Sequence, residues 1–182
     1  MANQAPEKVT EVVRTVRQIR QYHPDPVPRA ALDELLEVAR WTGSSQNTQP
    51  WRFVVIDDQE KIRQIAMLRD RINWLAAAPV AIAIVMDGKN PMSESYDEGR
   101  VTERLLIAAH SLGLGGGVAF YGGPEEQATA KRLLGIPDDL LARQVVAIGR
   151  PKSIKDPRGL SRAGRKAIDE IVSRNFFGEK WA

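Results

Sequence analysis

The apolar run Val80-Ala81-Ile82-Ala83-Ile84-Val85, introduced by Pro79, constrains the fold of this chain more than any other stretch. A run with no polar alternation fits a strand covered on both faces, so it predicts a central strand with a layer of structure on either side. The remaining segments must supply those layers. The wider apolar stretch from Leu75 to Val85 is broken by Pro79 and is shorter than the roughly 20 residues a membrane span requires. No membrane segment is expected. A secretory signal is not expected either, because Glu7 and Lys8 stand near the start with no apolar core beside them.

Val9, Val12, Val13, Val16 and Ile19 recur at helical spacing and predict a first amphipathic helix that stops before the proline strap Pro24-Asp25-Pro26-Val27-Pro28. A second helix starts near Pro28, buries Leu32, Leu35, Leu36 and Ala39, and ends at Gly43. Arg52 to Ile56 is β-rich and reads as the first core strand. Asp57-Asp58 then favours the start of a helix carrying Ile62, Ile65 and Ala66. Residues 69–78 show no clear period. Ser95-Tyr96-Asp97-Glu98 has capping-box spacing ahead of a long helix (Val101, Leu105, Ala108, Ala109, Leu112) that ends at Gly113. Gly115 to Gly117 read as a loop on a positive-φ path, Pro124 and Gly135 bracket a further helix, and Gln144 to Ile148 form a short strand. The C-terminal part holds an amphipathic piece (Ile168, Ile171, Val172) and the apolar residues Phe176, Phe177 and Trp181, which must bury somewhere. Helices outnumber strands without regular βαβ repeats. The expected class is therefore α+β, in one domain over residues 1–182.

Composition narrows the chemistry. With no cysteine and only His23 and His110 among imidazoles, thiolate nucleophiles, disulfides and thiolate metal sites are excluded, and a reducing cytoplasm is the expected location. The histidines have no carboxylate or second histidine at ligand spacing, so no metal is expected. The net charge of +3 is concentrated: residues 150–166 hold seven cations (Arg150, Lys152, Lys155, Arg158, Arg162, Arg165, Lys166) against Asp156, and Arg14, Arg17 and Arg20 form a second cluster. Read as a pair near the end of the first helix, Arg17 and Arg20 are spaced to grip a phosphate. Nucleic acid is disfavoured as a partner because no aromatic residue interleaves the basic run from Arg150 to Lys166. The glycines after Gly113 miss the dinucleotide fingerprint, since position 118 is Val.

Between the second helix and the first strand lies Gly43-Ser44-Ser45-Gln46-Asn47-Thr48-Gln49-Pro50-Trp51, which carries hydroxyls, carboxamides and an indole but no charge. Carboxamides present donors and acceptors side by side, so the loop suits the edge of a planar heterocycle with alternating N–H and C=O groups, as in a flavin. The alternative is a plain turn, built from the residues turns favour.

The order and spacing of several motifs resemble one family. Val16-Arg17-Gln18-Ile19-Arg20-Gln21-Tyr22, Pro26-Val27-Pro28, Leu35-Leu36-Glu37-Val38-Ala39-Arg40 and Ser44 through Val55 are similar to the N-terminal signature of the FMN-dependent nitroreductases. The likeness continues through Ala78-Pro79-Val80, Ala108 to Gly115, Tyr121-Gly122-Gly123, Gly135-Ile136-Pro137, Gly149-Arg150-Pro151 and Arg165 to Val172. It implies a nitroreductase-like α+β fold with a central, mostly antiparallel sheet flanked by helices. It also implies an intertwined homodimer with FMN at the subunit interface, NADH or NADPH as electron donor, and a small electron-poor acceptor. By that resemblance Arg17, Gln18, Arg20 and Arg165 hold the phosphate and ribityl end. Ser44, Ser45, Asn47 and Gln49 lie along the flavin, from the same chain or its partner, and Gly122 and Gly123 approach the ring near its reactive nitrogen. Val16, Gln18, Ala163 and Ala167 depart from the family pattern, leaving Arg14, Arg162 and Lys166 as replacements for lost phosphate contacts. Residues 69–76 match nothing in the family, and the segment from Gly88 to Ser95 is short. No protein acid or base is required by such chemistry, so no catalytic residue is expected. Related flavin reactions (dehalogenation, enone reduction, flavin destruction) and a non-enzymatic flavin carrier are the alternatives.

Overall fold

The structure, a computed structural model, describes residues 9–152 and 164–181. Its centre is the predicted strand: β2 (Val80–Met86) is buried at all seven positions. It pairs antiparallel with β1 (Trp51–Ile56) on one side and β4 (Leu141–Gly149) on the other, and β4 pairs antiparallel with β3 (Gly115–Phe120), giving the order β1-β2-β4-β3. Because side chains alternate along a strand, β2 feeds two cores. Ile82, Ile84 and Met86 pack with Leu35, Leu105, Val146 and Ile148, beneath α2 (Arg29–Arg40) and α4 (Pro91–Ser111). Ala81, Ala83 and Val85 pack with Ile62, Ile65, Leu75 and Val145, beneath α3 (Gln59–Ala66) and the 3-10 helix Asp70–Ala77. Each fully buried isoleucine contributes about 1.5–3 kcal/mol, so both layers are anchored on this one strand. The architecture is the expected α+β sheet flanked by helices.

The local signals explain most boundaries. Asp58 caps α3 by accepting from Glu60 and Lys61 N–H. Gly113, at φ 72°, follows the end of α4, and Gly135, at φ 66°, closes α5 (Pro124–Leu134). Four expectations need correction. The first helix, α1 (Val9–Thr15), stops well before the proline strap. Beyond it the chain runs extended along β3: Gln18 bridges Gly116 in parallel and Ile19 N–H donates to Gly116 C=O at 2.7 Å. The apolar period continued through Val16 and Ile19, but there it marks a segment pressed on the sheet rather than a helix face.

Gly115 to Gly117 form strand β3, not a positive-φ loop. Their role is close approach. A Cβ on Gly117 would lie 2.1 Å from the Ile19 carbonyl oxygen, so only glycine lets residues 16–22 lie flat on this edge. Ser95 is not a helix cap either; α4 begins a turn earlier at Pro91, where the Asn90 side chain accepts from Ser93 N–H at 3.2 Å. Finally, α2 reaches its C-cap at Trp41, two residues before Gly43. Near the C-terminus, α6 (Ile168–Ile171) and the residues Phe176, Phe177 and Trp181 are exposed in the isolated chain. Among the described residues no helix is long and apolar enough to cross a membrane.

Candidate functional site

The polar loop keeps its place of interest because of its backbone. Gln46, Asn47 and Gln49 all adopt left-handed φ values (52°, 56° and 48°), a conformation that side-chain-bearing residues rarely hold. Each such residue costs on the order of 1–3 kcal/mol, a strain that persists where surroundings over-determine it and that concentrates at functional sites. Internal bonds tighten the turn. Ser44 Oγ accepts from Gln49 N–H at 2.8 Å, Ser44 C=O accepts from Asn47 N–H at 3.1 Å, and Ser45 C=O accepts from Thr48 Oγ1 at 3.0 Å. The consequence is that the Asn47 and Gln49 side chains stand exposed, and the Asn47 carboxamide has no hydrogen-bond partner among the described residues.

Helix α4 supports this loop from below. Arg104 donates to Trp41 C=O (2.9 Å), Arg100 donates to Gly43 C=O (3.2 Å), and the buried Asp97 carboxylate accepts from Ser45 N–H (3.2 Å). Residues 97, 100 and 104 lie on one helical face. A cavity of about 330 Å³ opens beside the loop, walled by Ser45, Thr48, Asp87, Glu94 and Asp97. Glu94 is equally buried, its two oxygens accepting from Gly88 N–H at 2.8 Å and Asn90 N–H at 2.9 Å.

A second group of predicted residues gathers at the β3 edge. Gln18 Oε1 accepts from Val118 N–H (3.3 Å) and from Arg20 (3.2 Å), and the Arg20 guanidinium sits 5.7 Å from the centre of the Trp74 ring. The Arg17 guanidinium donates to the carbonyls of Arg14 and Val16 and meets no carboxylate among the described residues. Arg17 and Arg20 therefore lie on an extended strap, not on a helix face as expected. Gly122 follows β3 at φ 132°, where a Cβ would meet Arg69 Cδ at 2.7 Å, and Gly123 caps α5. Just behind this turn the Tyr121 hydroxyl is buried without a partner among the described residues, and burial followed by the nearby Glu98 charge raises its pKa.

The loop, which leads into β1, and Gly122, which leaves β3, lie at the same end of the sheet on opposite edges, with β2 and β4 between them, whereas Gln18 bridges Gly116 towards the other end of β3. Three strand spacings put these edges about 14 Å apart. One chain thus brings together Ser44, Ser45, Asn47 and Gln49 as one cluster and Arg17, Gln18 and Arg20 as another beside Gly116 and Val118, while Gly122 and Gly123 lie beyond the far end of β3. Arg165 joins neither; it is exposed and makes no hydrogen bond or ion pair among the described residues. Lys155, Arg158, Arg162 and Ala163, part of the expected basic segment, lie outside the described residues. Sequence reasoning missed Asp97, Arg100 and Arg104 as partners of the loop, because nothing local signals a contact across fifty to sixty positions.

Comparison with known proteins places this architecture. A solved FMN-dependent nitroreductase from Clostridium difficile superposes with a TM-score of 0.80 at 25% identity, covering 91% of this chain and 98% of that one. A structure from Desulfovibrio desulfuricans, titled a provisional nitroreductase in complex with FMN, gives 0.81 at 25% identity, covering 95% and 99%. The fold is thus of the nitroreductase-like α+β class. Residues 13–79 match the profile described as Nitroreductase family. An Archaeoglobus fulgidus protein with the provisional name NADH dehydrogenase/NAD(P)H nitroreductase is 30% identical over 96% of this chain and 99% of its own. The chain belongs to the nitroreductase family.

Proposed function

We propose that this protein is an FMN-dependent oxidoreductase that draws electrons from NADH or NADPH and passes them, in a ping-pong cycle, to nitroaromatic, quinone or similarly electron-poor acceptors. The observation that carries the reading is the charge-free loop Ser44–Gln49, which holds three non-glycine residues in left-handed backbone and leaves the Asn47 carboxamide exposed and without a partner among the described residues. The donor set fits the cofactor in kind. Neutral amides and hydroxyls suit the edge of the isoalloxazine, and Arg17 and Arg20 supply cations for a phosphate. When bound, FMN supplies two-electron exchange: hydride uptake from the nicotinamide and delivery to the second substrate on the same open face.

The residues of this chain bind and orient. Arg17, Gln18, Arg20 and Arg165 would hold the phosphate and ribityl end, while Ser44, Ser45, Asn47 and Gln49 would donate to and accept from the ring edge. Gly122 and Gly123, lacking Cβ atoms, would let their backbone approach the ring. Donors fixed before the reaction stabilise charge gained on the ring at little reorganisation cost. In this reading the site draws one cluster from each of two chains, in the homodimer that the family resemblance implies.

The test is direct. Purified protein should be yellow with a flavin absorption band, should release FMN on denaturation, and should oxidise NADH or NADPH in the presence of a nitroaromatic or quinone with parallel double-reciprocal lines. Colourless protein that neither takes up added FMN nor turns over the nicotinamide would overturn the proposal.

A further inference from the structure

The left-handed loop does not hold itself. Its internal hydrogen bonds join residues 44–49 to one another and leave the orientation of the whole turn open, yet Ser45 N–H, the first donor of the turn, has a partner 52 residues further along the chain: the Asp97 carboxylate, 2% exposed, at 3.2 Å. A carboxylate that deep loses hydration, and it keeps its charge only if its oxygens are engaged. Asp97 meets that condition with one oxygen on Ser45 N–H and the other on Arg100 at 3.2 Å. Arg100 in turn holds Gly43 C=O and Arg104 holds Trp41 C=O. Three side chains of α4 therefore grip successive backbone groups at 41, 43 and 45.

We infer that Asp97, buttressed by Arg100 and Arg104, is the positioning residue that fixes the Ser44–Gln49 loop and so aims Asn47 and Gln49 at their ligand. This rests on the flavin reading given above. Asp97 acts through its bond to Ser45 N–H. The bond it makes is charge-assisted and shielded from water, so its loss releases the loop toward the right-handed conformations its residues prefer. The geometry needs an acceptor oxygen at position 97, not a negative charge as such, which separates a positioning role from general electrostatics.

The experiment compares full-length wild type, Asp97→Ala, Asp97→Asn and Arg100→Ala, by amide hydrogen exchange with and without added FMN, by FMN dissociation followed in fluorescence, and by flavin midpoint potential. Asp97→Ala should speed exchange at residues 45–49 by about tenfold or more, with β2 amides unchanged, and raise the FMN dissociation constant by about tenfold, as the loss of one hydrogen bond to a charged group allows. Asp97→Asn keeps an acceptor and should return both quantities to within about threefold of wild type. Its midpoint potential should match that of wild type, a rescue that general destabilisation does not produce. If Asp97→Ala does not fold, Asp97→Asn and the surface variant Arg100→Ala decide: Arg100→Ala should speed loop exchange by about threefold or more. Loop exchange unchanged in the variants, or rising in step with β2, overturns the inference. Loop exchange that rises while FMN binding stays constant supports the positioning role and overturns the assignment of this loop to the flavin.

Discussion

At the residue scale, the carboxamides of Asn47 and Gln49 separate a turn from a binding surface. Asparagine tolerates left-handed backbone better than most residues, and aspartate does so nearly as well, so exchanging one for the other leaves the turn chemistry intact. If the side chains face the flavin, the outcome differs. A carboxylate within about 4–6 Å of the ring opposes the negative charge gained on reduction. Asn47→Asp and Gln49→Glu should each lower the two-electron midpoint potential by tens of millivolts, since about 30 mV corresponds to 1.4 kcal/mol. Thermal unfolding should change little. A dye-equilibrated titration measures this, and unchanged potentials with FMN still bound would return both residues to a turn-forming role. The loop was legible in the sequence because amides without charges stand out between two apolar segments. Its left-handed backbone was not legible, since Gln46 and Gln49 have no local preference for it.

At the element scale, α4 is the unusual part, with Glu94, Asp97 and Glu98 buried in its first half. Its capping-box spacing at Ser95 pointed to a start too late, because Asp97 and Glu98 do tertiary rather than capping work, while Glu94 accepts from the N–H of the N-cap residue Asn90. Glu98 accepts from Arg143 at 2.5 Å with one oxygen, and its other oxygen has no partner among the described residues. Burial is the main influence and raises the Glu98 pKa; Arg143 opposes it and the Glu94 charge adds to it. A carboxyl whose folded pKa is raised favours the folded state fully below its unfolded value, near 4.5, and that contribution is lost as pH rises through the folded value. Glu98→Gln keeps an acceptor for Arg143 and removes the titration. Relative to this variant, wild type should therefore lose stability as pH rises above about 4.5, as read from urea midpoints at several pH values; parallel curves would show that Glu98 titrates as it does in the unfolded chain. Elements with strong apolar runs, such as β2, were legible from sequence. The strand β3 was not, because three consecutive glycines carry no periodicity and reveal their purpose only against Ile19 and Leu106.

At the scale of the whole molecule, the isolated chain leaves Ile168, Ile171, Phe176, Phe177 and Trp181 in water, with Phe176 78% exposed. Apolar side chains collected in one terminal segment call for a partner surface. An open groove between α2 and the edge strand β1, lined by Leu36, Trp51, Phe53 and Val55 beside Gln49, offers apolar area next to the loop. The proposed homodimer would cover both. Light scattering should report twice the 20.2 kDa chain mass, and removing residues 175–182 should aggregate the protein or strip its FMN. A truncated chain that remains monomeric, flavin-loaded and active would sink the dimer. The sheet order was beyond the reach of sequence reading, because it depends on pairings such as Val80 with Ile148 that no local pattern encodes.

The strap that carries Arg17 and Arg20 also sets a timetable. Its backbone is held by Gly116 and, further on, by Arg150 and Pro151, and the Gln18 side chain by Val118, all made long after the strap itself leaves the ribosome. Closing such long loops is slow compared with forming local helices. The cationic strap thus acquires its shape only once nearly the whole sheet exists, so, if it is the proposed phosphate cradle, cofactor capture belongs to the end of biosynthesis rather than to its course.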